Sequence, residues 1–357
     1  MKKCSFYEES KNDFVNCTAC RHYCTIPKGG YGICGARKNV GGSLMLLTYA
    51  KPASVSIDPI EKKPLFHYLP GSQTFSVGFY GCNFRCAFCQ NFDLSTTKGS
   101  NLEQSVASLK ELTPAQLIES AKKTEAKSIA FTYNEPAVSA EYNIEAIKLT
   151  KKVKLAEKSN SEKSKSEKLG TVYVSNGYAS KEQIKVLKKS DSKLDAINID
   201  LKSFSEDFYR KLCGAQLENV LNCIKEFQKA GTWVELTTLL IPGRNNSPDE
   251  LAQMASWIRD LDKNIPWHVT AFFPTHELRN VPPTTREEIA TALEIGKEAG
   301  LRHVYGGNLH DSTLQTTWCS KCGAELITRT QQAGVEQKGL SKSKCVGCGE
   351  KVAGVFK

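Results

Sequence analysis

Cys82, Cys86 and Cys89 stand as C-x3-C-x2-C within Gly81-Cys82-Asn83-Phe84-Arg85-Cys86-Ala87-Phe88-Cys89-Gln90, directly after the strand-like run Thr74 to Tyr80. Three thiolates on one short loop can hold three irons of a four-iron cluster, and with no fourth protein ligand one iron stays open to a substrate or cofactor. An open iron means chemistry, whereas a closed one usually means electron storage. The competing reading of the three positions is buried thiols or a zinc site.

Two further cysteine sets flank this loop. Cys319-x2-Cys322 and Cys345-x2-Cys348 form two knuckles, followed by Gly323 and Gly349, where glycine permits the tight turn that aims backbone N–H groups at sulfur. Four such thiolates suit structural zinc or a rubredoxin-like iron, with zinc favoured. Near the amino terminus, Cys17-x2-Cys20-x3-Cys24-x9-Cys34 permits zinc or an auxiliary iron-sulfur cluster, with His22 as an alternative nitrogen ligand. Cys4, Cys213 and Cys223 fit no set and read as plain thiols. Most of the fourteen cysteines thus follow metal-site spacing in a reducing compartment rather than a disulfide framework.

The elements that must position these residues alternate. From residue 73 to about 306, short β-branched or aromatic runs exchange with longer amphipathic ones, the pattern of repeated βα units and a parallel sheet. Strands are expected near 73–79, 127–132, 171–175, 195–201, 232–240 and 267–273, with a seventh at 302–305. Helices fit 113–125, 137–156, 180–189, 216–230, 247–261 and 285–299. Thr113-Pro114 and Ser247-Pro248 read as N-caps with proline in the first turn. The cysteine loop, Asn134-Glu135-Pro136, Ser175-Asn176-Gly177, Asp200-Leu201-Lys202 and Ile241-Pro242-Gly243 each fall at or just past the carboxyl end of a successive strand. In an α/β barrel those ends share the face on which active sites are built. Three segments are expected: a cysteine-rich extension over 1–72, the α/β core over 73–315, and a zinc-ribbon or rubredoxin-like module over 316–357.

Charge narrows the function classes. The net charge is +10, but residues 148 to 168 alone hold eight Lys and three Glu, and Glu157 to Lys168 is a low-complexity run too polar to form its own core. It reads as a solvated insertion joining a helix to the next strand, on the face opposite the strand ends. No interleaved aromatics support stacking on bases, which argues against a nucleic-acid partner. The chain opens without an apolar signal segment and has no run long enough to span a bilayer, so a soluble cytoplasmic protein is expected, with no membrane partner.

Phe88 completes the pattern C-x3-C-x-aromatic-C, which resembles the radical S-adenosylmethionine (SAM) superfamily. Asp58-Pro59-Ile60-Glu61-Lys62-Lys63-Pro64-Leu65-Phe66-His67, Pro70-Gly71-Ser72, Asn198 to Lys202, Ile241-Pro242-Gly243, Pro266-Trp267-His268 and Tyr305-Gly306-Gly307-Asn308 are similar to the radical SAM enzyme of the AmmeMemoRadiSam system, a branch related to pyruvate formate-lyase activating enzymes. The resemblance implies a partial (β/α)6-like TIM barrel, a 4Fe-4S cluster on Cys82, Cys86 and Cys89, and reductive cleavage of SAM to a 5'-deoxyadenosyl radical. That radical would abstract hydrogen from an unidentified substrate, an oxidoreductase-type reaction. The resemblance also implies Memo-like and Ammecr-like proteins as partners; an electron donor such as flavodoxin or ferredoxin is expected as well.

It further implies a SAM site. Glu135 matches the end of the family's Gly-Gly-Glu motif, with Tyr133-Asn134 in place of the glycine pair; the competing role is a helix-start glutamate. Asn176 would contact the ribose or carboxylate of SAM, unless Asn176-Gly177 is an ordinary turn. Asp200 and Lys202 resemble the Asp-x-Lys motif of activases, against an ion pair sealing the barrel mouth. His268 would position SAM or substrate, against a structural histidine. Two other functions stay open: a glycyl-radical-enzyme activase, and a nonenzymatic iron-sulfur and zinc protein for electron transfer or assembly.

Overall fold

The computed structural model describes residues 1–160, 169–309, 311–330 and 334–356. Its contacts divide the chain into two compact units. One comprises Met1–Asp58, Gln73–Ile197 and Asn219–Thr232; the other comprises Pro59–Ser72, Asn198–Glu218 and Trp233–Lys357.

In the first unit, strands Gln73–Gly78, Ser128–Phe131 and Gly170–Ser175 pair in parallel, with Ser128 opposite Thr74 on one side and Gly170 on the other. Nearly every residue of the three is buried, the signature of parallel strands covered on both faces. The helix Pro114–Lys123 starts at the expected cap: Thr113 accepts from Gln116 N–H and Gln116 returns to the Thr113 N–H, a capping box worth about 1 kcal/mol. Helices Ala140–Asn160 and Lys181–Leu187 follow the next two strands' positions in the chain. The polar insertion overlaps the end of Ala140–Asn160, and its remainder lies outside the described residues, as does its expected place on the far face.

The amino-terminal extension forms two small antiparallel sheets. Tyr7–Glu9, Val15–Cys17 and Thr25–Ile26 make one; Arg37–Val40 and Ser43–Leu46, turned by Gly41 and Gly42 at positive φ, form the core of the other. Too small to bury a core alone, the extension is fastened by a buried fork. Arg37 Nη1 donates to Glu141 Oε1 at 3.0 Å, its Nη2 pairs with Oε2 at 2.5 Å, and its Nε donates to the Val138 carbonyl at 3.1 Å.

In the second unit, Trp233–Leu240, Trp267–Ala271 and Val304–Gly307 are again parallel neighbours, with Trp267 opposite Leu236 and Val304. Helices Pro248–Asp262 and Arg286–Glu298 begin at capped Ser247 and Thr285, with acidic residues in the first turn where the helix dipole favours them. The carboxyl-terminal segment holds antiparallel Thr317–Trp318, Glu325–Thr330 and Gly334–Glu336, then the hairpin of Leu340–Ser341 and Lys344–Cys345. The strand Ala196–Asp200 begins in the first unit and ends in the second.

All seven expected strands are present within about two residues of their predicted limits, and the α/β class with a parallel sheet holds. The helices Phe92–Ser95 and Gly99–Ala107, directly after the cysteine loop, were not foreseen. Phe92–Ser95 is a single turn, too short to show a period, and Gly99–Ala107 offers only Leu102 and Val106 to the core.

Candidate cofactor and metal sites

The cysteine loop leaves the strand Gln73–Gly78 through a crowded passage. A Cβ on Gly78 would stand 2.8 Å from the Thr132 carbonyl, and one on Gly81, whose φ is +91°, would stand 2.6 Å from the Cys34 carbonyl. Only glycine passes both points without a shift. Asn134 then clamps the start of the loop, accepting from Phe79 N–H at 3.1 Å and donating from Nδ2 to the Gly81 carbonyl at 2.9 Å. Within the loop, Phe84 N–H donates to Cys82 Sγ at 3.4 Å and Cys89 N–H to the Cys86 carbonyl at 3.1 Å, while Cys89 Sγ lies 3.1 Å from Ser95 Oγ. Desolvation first, and then the Glu135 and Cys86 charges, hold the Cys82 thiol well above its usual value.

Glu135 is buried beside this loop and works within the protein. It caps the turn Pro136–Ser139 by accepting from Ala137 N–H at 2.9 Å, and it also accepts from Ser175 Oγ at 3.0 and 3.1 Å and from Asn176 N–H at 2.7 Å. The helix-start role is therefore present, and a joint between two strand ends is added to it. Asn176 continues the chain of bonds: its Nδ2 donates to Asn83 Oδ1 at 2.8 Å and lies 3.9 Å from Cys82 Sγ. Two buried amide atoms here, Asn176 Oδ1 and Asn83 Nδ2, have no hydrogen-bond partner. Three thiols beside unsatisfied polar atoms are a donor set suited to a cluster with a polar cofactor, since buried polar groups are otherwise paired.

Tyr133 occupies one position of the missing glycine pair and takes φ +70°, a conformation glycine adopts freely and tyrosine does not. Its hydroxyl donates to Asp58 Oδ2 at 2.5 Å, which anchors the strained residue. Burial, reinforced by Asp58, pushes that phenol up to about 12.

The remaining predicted SAM contacts belong to the second unit. Lys202 Nζ donates to Asp200 Oδ2 at 2.7 Å, so the two make the ion pair weighed as their alternative. His268 is buried with its Nε2 2.7 Å from Glu235 Oε2, and Glu235 also accepts from Phe66 N–H at 2.9 Å, His67 N–H at 2.8 Å and Trp233 Nε1 at 2.9 Å. Glu235 is a centre that sequence reasoning missed. Its one signal was a carboxylate inside the otherwise uncharged run Trp233-Val234-Glu235-Leu236.

The carboxyl-terminal cysteines converge. Cys319 and Cys348 have their sulfurs 3.6 Å apart, Cys322 and Cys345 3.7 Å, and all four lie within 4.8 Å of one another. A tetrahedral zinc with bonds of about 2.3 Å sets its sulfurs about 3.8 Å apart, which this spacing matches. The knuckle glycines are needed as expected: Gly323 and Gly349 take φ +72° and +74°, and their N–H groups reach back to the Cys319 and Cys345 carbonyls, each at 2.9 Å. Burial alone would raise the Cys319 thiol, but bonds from the backbone of Cys322 and Lys321 bring it down to about 7, while at Cys348 a backbone bond from Glu350 that lowers the thiol is outweighed by burial and by side-chain bonds from Cys322, Cys319 and Cys345, which push it up to about 12.

The amino-terminal cysteines lie near one another without such convergence. Cys17 N–H donates to the Cys24 carbonyl at 2.9 Å, and Cys20 bridges to Ala179. His22 does not present both nitrogens to them, since its Nε2 lies 2.8 Å from the Asn83 carbonyl. Among the described residues, Cys319, Cys322, Cys345 and Cys348 are the group gathered as for one ion.

The family profile described as the Radical SAM superfamily matches residues 76–258. An uncharacterized protein of Methanocaldococcus jannaschii is 36% identical over 99% of this chain and 99% of its own. A second protein of that organism, provisionally assigned as a glycyl-radical enzyme activating enzyme, is 25% identical over 65% of this chain and 80% of its own. Among solved structures, a domain of the pyruvate-formate lyase-activating enzyme of Bacteroides vulgatus aligns with a TM-score of 0.37 at 18% identity, covering 50% of this chain and 98% of that one. No helix among the described residues is long and apolar enough to cross a membrane.

Proposed function

The chain belongs to the Radical SAM superfamily, and on that premise we propose that it is an enzyme that holds a 4Fe-4S cluster on Cys82, Cys86 and Cys89 and binds SAM at the open iron. When bound, cluster and SAM supply reductive carbon–sulfur cleavage and a 5'-deoxyadenosyl radical for hydrogen abstraction. The observation that carries this reading is the pair of unpartnered buried amide atoms, Asn176 Oδ1 and Asn83 Nδ2, beside a loop of three thiols. Asn134 and the glycines at 78 and 81 fix the loop, and Glu135 fixes Asn176 by its backbone, so the thiols and the amides keep one geometry before any ligand arrives. Glu135 and Asn176 thus act as positioning residues as well as SAM contacts. For Asp200, Lys202 and His268 the proposed contact with SAM rests on the family resemblance alone.

The finer reading places the protein with the AmmeMemoRadiSam enzymes, on a partial (β/α)6-like barrel over 73–315, between a metal-binding extension over 1–72 and a zinc module over 316–357. It works in the cytoplasm with a flavodoxin or ferredoxin as reductant, and Memo-like and Ammecr-like proteins are its candidate partners. A glycyl-radical-enzyme activase is the second reading, favoured by the similarity to the relative assigned to that activity.

The test is anaerobic reconstitution, reduction and incubation with SAM. Methionine and 5'-deoxyadenosine should form, and alanine at any one of Cys82, Cys86 or Cys89 should abolish them. Full turnover by the triple alanine variant would sink the assignment. A glycyl radical formed on an added glycyl-radical enzyme would select the activase.

A further inference from the structure

The amino-terminal extension reaches the cysteine loop through one ring. Residues 19–21 pair antiparallel with the segment that follows the strand Gly170–Ser175: Cys20 bridges to Ala179, Arg21 N–H donates to the Tyr178 carbonyl at 3.0 Å, and Ser180 N–H donates to the Ala19 carbonyl at 3.3 Å. The Arg21 side chain reinforces the pairing, donating from Nε to the Ala179 carbonyl at 2.9 Å and pairing with Glu226 at 3.0 Å. His22, the next residue, is thereby set against the loop. Its ring centre lies 4.8 Å from that of Tyr178, and the Tyr178 ring meets Phe84 edge-on at 5.1 Å. Tyr178 and Phe84 are both buried.

His22 Nε2 lies 2.8 Å from the Asn83 carbonyl oxygen. A carbonyl only accepts, so that nitrogen carries a proton and donates it. The bond continues beyond the oxygen. The Asn83 carbonyl and the Phe84 N–H are the two ends of one planar peptide group, and that N–H donates to Cys82 Sγ at 3.4 Å. Ring N–H, carbonyl, peptide N–H and sulfur thus form an unbroken chain of hydrogen bonds. In such a chain a donor at the carbonyl polarises the peptide and strengthens the bond its N–H makes. The Asn83 side chain is held separately, its Oδ1 accepting from Asn176 at 2.8 Å, so His22 is what fixes the peptide itself from the extension.

We propose that His22 is a positioning residue for the cysteine loop: by donating to the Asn83 carbonyl it fixes and polarises the peptide whose N–H faces Cys82 Sγ, and so raises the reduction potential of the cluster held there. The proposal rests on the reading of Cys82, Cys86 and Cys89 as the SAM-binding cluster loop. A hydrogen bond to a ligand sulfur favours the reduced cluster, because it offsets the negative charge that an added electron brings. Reductive cleavage of SAM starts from that reduced state. A residue 61 positions before the loop's Asn83 therefore sets how readily the loop's cluster takes up an electron.

Two substitutions in the full chain separate the donor from the ring. His22→Phe keeps an aromatic ring against Tyr178 and removes the N–H; His22→Gln gives up the ring and keeps an N–H of similar reach. After anaerobic reconstitution to wild-type iron content, the midpoint potential of the SAM-dependent electron paramagnetic resonance signal should fall in His22→Phe and stay near the wild-type value in His22→Gln. In metal-free protein, amide hydrogen exchange over residues 81–90 should quicken severalfold in His22→Phe and stay at the wild-type rate in His22→Gln. Equal potentials in wild type and His22→Phe overturn the proposal. So does a fall of the same size in both variants, which would make the ring rather than the donor responsible. A wild type with no SAM-dependent signal sinks the catalytic reading instead; exchange that quickens in His22→Phe alone then still upholds the hold on the loop, and unchanged exchange overturns that as well.

Discussion

Asn176 donates its side-chain N–H to Asn83 Oδ1 at 2.8 Å while its backbone N–H is held by Glu135 at 2.7 Å. The end of one strand is thereby tied to the cysteine loop that follows another, through a carboxylate that also caps the turn after a third. Removing that carboxylate strands the Ala137 and Asn176 N–H groups and the Ser175 hydroxyl in a buried place, and each unsatisfied group costs about 1–3 kcal/mol. Glu135→Ala should therefore lower the stability of the metal-free protein by about 3 kcal/mol or more in urea unfolding. Ser175→Ala, which takes one donor from Glu135 and strands only the Gly177 N–H that Ser175 Oγ accepts at 3.0 Å, should cost less, about 1–2 kcal/mol. Equal effects would show that Glu135 does not organise the strand ends.

Stability should also fall with acid before most carboxylates titrate. His303 is held down to about 4, first by burial and then by Arg302, and His67, its ring 4.4 Å away, is lowered well below the usual value by burial and by His303. The unfolded chain takes up these protons near pH 6.5 and the folded one does not, so stability is full above about 6.5 and is lost as pH drops toward 4. The His303 shift alone corresponds to roughly 3 kcal/mol at the acid end of that window. Urea midpoints measured between pH 7.5 and 4.5 should decline, and His303→Leu should flatten the decline. Parallel curves for the two proteins would refute the assignment.

Local rules made much of this fold readable. Thr113-Pro114 and Ser247-Pro248 start helices because a cap needs only its next three residues. The cysteine sets announce themselves because metal spacing is short-range. The polar joints do not. Arg37 and Glu141 are 104 positions apart, and Asn83 and Asn176 are 93 apart, so neither pair leaves a pattern in sequence. His268 shows the same limit: its family position suggested a ligand contact, while its Nε2 is engaged by Glu235 from a neighbouring strand. Tyr133 is intermediate, since the missing glycines were visible but the Asp58 bond that holds a tyrosine at positive φ was not.

The Arg37–Glu141 fork offers a test of how the extension is held. Both side chains are almost wholly buried, and Glu141 accepts a further bond from Ser5 N–H at 3.1 Å. Removing one partner leaves a buried charge uncompensated, at about 3–5 kcal/mol. Arg37→Met should cost that much and release the amino-terminal sheets to limited proteolysis. Adding Glu141→Leu should recover part of the loss, because a paired apolar replacement leaves no charge behind. A double variant worse than the sum of the two single ones would contradict this account.

The carboxyl-terminal segment should depend on its metal for folding. Its buried cluster consists of Cys319, Leu326, Ile327, Cys345 and Val352, too few apolar side chains to hold two hairpins unaided. Four sulfurs already spaced for a tetrahedral ion supply the missing cross-link, and a closed thiolate set leaves no position for substrate. Protein lacking Cys82, Cys86 and Cys89 should still contain about one zinc per chain. Cys345→Ala should remove that zinc and expose residues 316–357 to protease, and a strong chelator should do the same to the wild type until zinc is restored. If Cys345→Ala keeps both its metal content and its protease resistance, the cysteines are not a structural site.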